Sequence, residues 1–318
     1  MLQGTVIVLK IGGRALEPAG DAADVAAMAG GSANAPGAAA ATGAAPARDS
    51  AIAELGAELA GLGVPVVIVH GGGAEVSAWC QRLGVVPRFV DGLRVTDPQT
   101  LEVATAVLAG LANKRLVARL RAAGLDAVGL SALDGGTIEA VPHRRAATLG
   151  AVGAVFDVQP ALLETLLGQG RVPVIASICD CEGALLNVNA DDLAAALAGA
   201  LKARALVLLS DAPGLILDGG VVPRLAADAL AHATDRPEVQ GGMRPKLIAA
   251  RAALEAGVPR VHITAWSGPG TIDAILGGEG GGTTITTVPD VVATPHAGVS
   301  GSAGHPARTS TPTGARND

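Results

Sequence analysis

Tyrosine is absent from this chain, and two phenylalanines and two tryptophans are its only aromatic residues. Proteins that stack nucleic-acid bases need aromatic platforms, so base stacking is excluded. Cysteine is nearly as scarce. Cys80, Cys179 and Cys181 form an odd set, which suits a reducing compartment without structural disulfides. Cys179-Asp180-Cys181 has the spacing of half a metal site, but zinc takes four ligands and no second cluster accompanies it. No protein-held metal is expected. Charged residues make up only 16% of the chain, with a net charge of −6, which argues against a general nucleic-acid surface. No uninterrupted apolar run is long enough to span a bilayer. The first residues carry neither a basic n-region nor a cleavage site. The chain therefore reads as cytoplasmic, with no membrane and no nucleic-acid partner.

What the chain does have is a large apolar fraction, 49% of 318 residues, much of it alanine. That composition suits close helix–sheet packing. Two strand-like apolar runs each lead into glycines. Thr5-Val6-Ile7-Val8-Leu9 is followed by Lys10-Ile11-Gly12-Gly13, and residues 64–69 by His70-Gly71-Gly72-Gly73. Continuous β-branched runs read as central parallel strands, and ligands of open α/β sheets bind at the carboxyl ends of such strands. Glycine lets backbone N–H groups approach an anion closely, and a neighbouring lysine adds mobile positive charge. The pair points to phosphate or carboxylate chemistry; either turn alone is equally well explained as ordinary glycine punctuation.

Strands and helices alternate along most of the chain. Helices are expected over 50–62, with Ser50 as cap, over 100–123, where Leu101, Ala104, Leu108 and Leu111 keep helical spacing, and over 192–202, acidic at its start and basic at its end. A further helix starts within 240–255. Strands are expected over 172–178, 206–209, 260–264 and 283–287. This predicts an α/β protein, a three-layer α/β/α sandwich with a mainly parallel central sheet. Residues 17–49 are rich in Ala, Gly, Pro and Ser and read as a flexible insertion, in which 21–28 has the makings of a short helix. Residues 290–318 read as a disordered tail.

Two more motifs carry chemistry. Asn187-Val188-Asn189-Ala190-Asp191 sets amide and carboxylate groups at a helix start; capping accounts for one of them, not for the group. Gly241-Gly242-Met243-Arg244-Pro245-Lys246 places glycine backbone and a lysine at another helix start, an arrangement suited to phosphate. Neither GxxxxGK[ST] nor GxGxxG is present, so a nucleotide site here is of another type.

The order and identity of these motifs resemble the amino acid kinase family, and within it the acetylglutamate kinases. The matching pieces also include Gly92-Leu93-Arg94-Val95-Thr96-Asp97, Asn113-Lys114, Ala127-Val128-Gly129-Leu130-Ser131 and Ser210-Asp211-Ala212-Pro213-Gly214. The resemblance covers residues 5–287 apart from the insertion. It implies the amino acid kinase fold, with an N-terminal acyl-amino-acid and dimerisation lobe over 1–180 and a nucleotide lobe over 181–289. It implies transfer of the ATP γ-phosphoryl group to the γ-carboxylate of N-acetyl-L-glutamate, the second step of arginine biosynthesis, with Mg²⁺ bound alongside the nucleotide.

The residue types suit that reaction. A carboxylate needs no general base, and the difficulty lies in joining two anions and stabilising spread negative charge. By analogy, Lys10 and Lys246 flank the moving group and Asp191 holds both ammonium groups. Gly12, Gly13, Gly72 and Gly73 offer amides to phosphoryl and carboxylate oxygens. Arg94 grips the substrate α-carboxylate, with Asn187 beside it. Ser210, Asp211, Gly214, Leu215, Gly241, Gly242 and Met243 border the nucleotide. His70 reads as structural, and Asn113 and Lys114 as packing and surface residues of a helix. The segment 177–183 looks a residue shorter than in many relatives. No N-terminal helical extension precedes the first strand, so the resemblance favours an arginine-insensitive homodimer. Two rivals remain at this point: a kinase for carrier-linked aminoadipate or glutamate, and a catalytically silent amino-acid-binding regulator on the same fold.

Overall fold

The computed structural model describes residues 4–12 and 44–287. Gly13, the short helix expected over 21–28, the rest of the insertion to residue 43 and the tail lie outside the described residues. The strands of the first half are β1 (Ile7–Ile11), β2 (Val66–His70), β3 (Phe89–Val90), β4 (Leu93–Arg94), β5 (Ala127–Ser131), β6 (Ile138–Pro142), β7 (Val152–Val158) and β8 (Val172–Ala176). Those of the second half are β9 (Ile178–Cys181), β10 (Ala184–Val188), β11 (Ala205–Ser210), β12 (Ile216–Leu217), β13 (Gly220–Val221), β14 (Arg224–Ala226), β15 (Arg260–Ala265) and β16 (Thr283–Thr286). The helices are α1 (Ala44–Gly61), α2 (Gly73–Arg82), α3 (Pro98–Thr105), α4 (Asn113–Ala122), α5 (Ala146–Leu149), α6 (Ala161–Gly168), α7 (Ala190–Ala200), α8 (Leu230–Thr234), α9 (Met243–Glu255) and α10 (Thr271–Gly277).

Eight strands form one sheet in the order β14-β16-β15-β11-β1-β2-β8-β5. All neighbours are parallel except β15 and β16. β1 and β2 are buried along their whole length, as strands covered on both faces must be. The two-residue period then sorts their side chains. Val6, Val8, Val67 and Val69 meet the alanine-rich α7 and α9 on one face. Ile7, Leu9, Ile11 and Ile68 meet Leu55 of α1, Leu120 of α4 and Ile272 of α10 on the other. The expected three-layer sandwich is present, and each fully buried leucine such as Leu193 or Leu197 contributes about 1.5–3 kcal/mol. α7 and α9 approach so closely that a Cβ on Gly199 would stand 2.6 Å from Ala256 Cβ.

The same alternation sends Lys10, two residues after Val8, to the α7 face. β6, β7, β9 and β10 close into a small four-stranded barrel, and β10 runs into α7 through Asn189. The lobe boundary expected at residue 180 falls in the β9–β10 hairpin of this barrel.

Several element limits differ from the sequence expectation. β1 extends through Lys10 and Ile11, so the lysine lies in the strand and the turn begins at Gly12. α1 starts at Ala44, inside the stretch read as insertion, and Ser50 is a mid-helix residue whose hydroxyl donates to Glu54 Oε1 at 3.0 Å. Alanine's high helix propensity extends the helix where no apolar period marks it. The run expected as one helix over 100–123 begins at Pro98, capped by Asp97, and contains a seven-residue π-helical stretch, Ala106–Ala112. The run 172–178 splits at Ser177, with Ile178 opening the barrel strand β9. α7 ends before Lys202, whose φ of 48° takes it out of the helix, so no base occupies its last turn. Among the described residues no helix is long and apolar enough to cross a membrane.

Candidate active site

β1, β2 and β11 are neighbours in the sheet, and their carboxyl ends carry Lys10, His70 and Ser210. α7 starts with Asn189 as its cap, whose Oδ1 accepts from the Asp191 amide at 2.8 Å and the Asp192 amide at 3.3 Å. Asp191 therefore sits in the first turn with its carboxylate facing β1. Lys10 Nζ lies 2.8 Å from Asp191 Oδ1, and Lys246 Nζ, from the first turn of α9, lies 3.5 Å from Asp191 Oδ2. Lys246 Nζ also donates to the Gly242 carbonyl at 3.3 Å.

All three side chains are buried. Burial alone raises the Asp191 carboxyl, but the charges of Lys10 and Lys246 outweigh it and hold the group below its ordinary value. Lys246 is pulled down by burial, with Asp191 opposing and Lys10 adding to the fall. One carboxylate stands between two ammonium groups, and Asp211 acts on Lys246 only as the smallest of the influences on it, so the buried positive charge is only partly offset. Burying such a charge is costly unless a counter-charge arrives. The first turns of α7 and α9 meet at this point, and both present helix N-termini that favour an anion.

A second cationic group lies on β4. Arg94 is buried, with Nη2 donating to the Gly73 carbonyl at 2.6 Å and to Ser77 Oγ at 2.8 Å. Its guanidinium carbon stands 4.7 Å above the Phe89 ring. Nη1 has no partner, and no carboxylate pairs with this guanidinium among the described residues. Asn187 Nδ2 donates to Thr96 Oγ1 at 3.2 Å, and that hydroxyl donates to the Arg94 carbonyl at 3.1 Å. Arg94 and Asn187 are thus joined through Thr96. Gly72 and Gly73 open α2 beside them, with no acceptor for the Gly72 amide among the described residues.

The remaining sequence candidates fare differently. The Gly12 amide donates to the Leu209 carbonyl at 3.0 Å, so it continues the ladder and is not free for an oxygen of the substrate. Leu215 is fully buried, its amide bonded to Thr283 Oγ1 and its carbonyl to the Val222 amide, so it belongs to the core. Gly214 is required beside it: at φ 156° a Cβ there would stand 2.9 Å from Thr283 Oγ1. The Met243 amide is taken by the Gln240 carbonyl, while Gly242 precedes α9 and Gly241 turns with φ 56°. Ser210 and Asp211 close the end of β11, where Ser210 Oγ donates to Asp211 Oδ1 at 3.3 Å.

Cys179 is buried in the core, and burial pushes its thiol up to about 12. Among the described residues no group of three or more His, Cys, Asp or Glu could hold a metal. Ser77, Phe89 and Thr96 escaped sequence reasoning as site residues. Each is an ordinary residue made relevant by what it touches, and only the position of Thr96 two residues after Arg94 offered a signal.

The profile of the Amino acid kinase family matches residues 5–265. The acetylglutamate kinase of Methanopyrus kandleri is 46% identical over 224 residues, covering 67% of this chain and 89% of that protein. That of Chloroflexus aurantiacus (strain J-10-fl) is 45% identical over 217 residues, covering 67% and 85%. Among solved structures, N-acetylglutamate synthase from Neisseria gonorrhoeae, complexed with coenzyme A and N-acetyl-glutamate, superposes with a TM-score of 0.69 at 24% identity. That match covers 91% of this chain and 61% of the synthase, and it speaks for the fold alone.

Proposed function

This chain belongs to the amino acid kinase family, and we propose that within it the protein is an acetylglutamate kinase. It transfers the γ-phosphoryl group of ATP to the side-chain carboxylate of N-acetyl-L-glutamate, giving an acyl phosphate in arginine biosynthesis. The observation that carries this reading is the buried Lys10–Asp191–Lys246 group, two ammonium groups held by one shared carboxylate.

The substrate carboxylate attacks the γ-phosphorus directly, and the bond to the β–γ bridging oxygen breaks. No proton moves, which agrees with the lack of a poised base at this point. Negative charge spreads over the equatorial phosphoryl oxygens and the leaving ADP. Lys10 neutralises the former from the β1 side and Lys246 the latter from the α9 side. Asp191 holds both ammonium groups in place before substrate arrives, so they need not reorganise during the reaction. The Gly72 and Gly73 amides and the α2 N-terminus receive carboxylate or phosphoryl oxygens. Arg94 Nη1 takes the substrate α-carboxylate, with Asn187 beside it. Ser210, Asp211, Gly241 and Gly242 border the nucleotide.

Mg²⁺ fits this site as a passenger of the nucleotide, since the described residues offer no acidic cage of their own. It would arrive with the nucleotide and supply positive charge that offsets the phosphates, beside the lysines Lys10 and Lys246. The half of the sheet from β1 to β5 takes the acyl amino acid, the half from β11 to β14 takes the nucleotide, and the enzyme works in the cytoplasm as a homodimer.

The curated relatives favour this reading over a carrier-linked substrate, and the intact Lys10–Asp191–Lys246 group favours it over a silent regulator. Release of ADP in a coupled assay with N-acetyl-L-glutamate, glutamate and a carrier-linked amino acid compared side by side tests it. Turnover with N-acetyl-L-glutamate alone is expected; turnover only with the carrier-linked compound, or with none, contradicts it.

A further inference from the structure

His70 and Asn113 stand outside the chemistry above, yet both are buried polar residues at its edge. His70 ends β2. Its Nδ1 lies 2.9 Å from the Gly71 carbonyl, and its Nε2 lies 3.0 Å from Asn113 Nδ2. A carbonyl only accepts, so Nδ1 carries the proton and donates. Asn113 Nδ2 also donates to the Val174 carbonyl at 2.9 Å, with the Leu130 carbonyl at 3.3 Å a weaker contact that shares a hydrogen, so its two hydrogens serve Val174 and His70. The Val174 carbonyl on this end and the Lys114 ammonium on Oδ1 fix this end of the amide as the NH₂, so His70 Nε2 is the bare, accepting nitrogen. Both contacts specify one tautomer. Burial, the largest influence, pulls the imidazole below its usual pKa; the Gly71 bond opposes it and Lys114 adds to it. With Nε2 accepting a hydrogen bond, the ring of this arrangement is the neutral form.

The consequence lies in the next peptide. The Gly71 carbonyl and the Gly72 N–H belong to one planar trans unit and point in opposite directions. Holding the carbonyl toward His70 turns the Gly72 N–H away from it. That amide has no acceptor among the described residues. Leu108 closes the other side, since a Cβ on Gly72 would stand 2.7 Å from Leu108 Cδ2.

Leu108 and Asn113 come from the π-helical stretch and the residue directly after it. Such a stretch changes the phase of a helix, and π-turns gather at functional sites. Here it brings an apolar side chain and a buried amide onto the same glycine turn. Asn113 is itself braced: its Oδ1 accepts from Lys114 Nζ at 3.0 Å, and Lys114 Nζ donates to the Gly129 carbonyl at 3.1 Å. Gly129 must lack a side chain, because a Cβ there would collide with the buried, fixed Asn113 Oδ1.

We infer that His70 and Asn113 are positioning residues that aim the Gly72 amide into the active-site cleft, acting through the carbonyl of Gly71. The relay accounts for three sequence motifs the chemistry had not absorbed: His70 before the glycines, Asn113-Lys114, and the glycine of Ala127-Val128-Gly129-Leu130-Ser131.

Histidine variants separate this role from mere packing. In His70→Asn the side-chain amide falls where Nδ1 stood and can still donate to Gly71. In His70→Gln it falls where Nε2 stood and reaches only Asn113. His70→Leu reaches neither. Misplacing one group of the site costs on the order of a hundredfold in rate. His70→Asn should keep kcat within about fivefold of the parent, while His70→Gln and His70→Leu lose about a hundredfold. A packing role predicts the reverse order, since glutamine fills more of the histidine volume; His70→Gln matching or exceeding His70→Asn overturns the inference. This arm rests on the kinase reading above. A second arm does not. Nitrogen NMR of the ¹⁵N-histidine-labelled full chain, with the His70 signal assigned by its loss in His70→Gln or, should that variant not fold, by its coupling to the buried Asn113 amide, reports the tautomer. A proton on Nδ1 and a bare Nε2 are expected; a proton on Nε2, or an imidazolium at neutral pH, overturns the relay even in an active enzyme.

Discussion

Removing the charge of Asp191 is the sharpest perturbation of the site. Asp191→Asn keeps the shape and the cap bond from Asn189 to the residue 191 amide, but leaves two buried ammonium groups without the carboxylate they share. At separations of 2.8 and 3.5 Å and an effective dielectric of about 20, the gross attractions are about 6 and about 5 kcal/mol. Desolvation cancels much of this, and removing one partner of a buried pair costs about 3–5 kcal/mol net. The unfolding free energy of the nucleotide-free protein, measured in urea, should fall by that amount. ATP affinity should hold or rise, because the site has gained positive charge. The rate should still drop by about a hundredfold, because neither lysine is held where charge develops. A loss below about 1 kcal/mol, together with a turnover close to the parent's, would refute the claim that Asp191 organises the two lysines.

Further outcomes follow from the same geometry. Lys10→Ala or Lys246→Ala should lower kcat by about a hundredfold with far less change in the KM for N-acetyl-L-glutamate, since both act on charge present mainly in the transition state; steady-state kinetics decides, and near-normal turnover contradicts the assignment. Arg94→Lys should raise that KM by about tenfold or more while ATP affinity and melting hold, because a point charge cannot reproduce the planar fork. His262 is buried with Nε2 unpartnered, and burial, with Arg260 assisting, lowers its pKa from 6.5 to about 4. The unfolded state takes up the proton first, so this residue's cost is absent above pH 6.5 and grows as pH falls toward about 4, reaching about 3 kcal/mol. His262→Asn, which keeps a partner for Thr284, should lose less stability across that window by the same amount; parallel urea-denaturation profiles for the two proteins would contradict it.

How much of this was legible in the sequence depended on burial. β1 and β2 were legible because strands covered on both faces need unbroken β-branched runs, and Ile7–Ile11 and Val66–His70 carry them. The small barrel was not, because Ile138–Pro142 and Ala184–Val188 mix exposed and buried residues in short strands whose pairing is set by distant partners. The start of α1 was missed for a different reason: 44–49 is alanine-rich and has propensity without period. Asp97-Pro98 did carry a readable helix start, a cap followed by proline at the first position, and the leucine spacing drew the boundary two residues late.

At the site, the glycine turns could be seen from local pattern. The meeting of Lys10, Asp191 and Lys246 could not, since no local rule joins three residues so far apart in the chain. It entered through resemblance, and the fold brings the three together. Leu215 and the Gly12 amide sit in glycine-containing motifs that local pattern marks as candidates, and both are bonded within the sheet and core. Asn113 and Lys114 were read as packing and surface residues of a helix; Asn113 is fully buried, directly after the π-helical stretch.

In the proposed reaction the γ-phosphoryl group of ATP ends on the side-chain carboxylate of N-acetyl-L-glutamate. Acyl phosphates react with hydroxylamine to give hydroxamates, so the product can be trapped and weighed. Incubation of the purified full chain with ATP, Mg²⁺, N-acetyl-L-glutamate and hydroxylamine should give the side-chain hydroxamate in equal amount to the ADP released, and none when Lys10 is replaced by alanine. ADP release without hydroxamate, or hydroxamate formation that survives the loss of Lys10, would contradict the account.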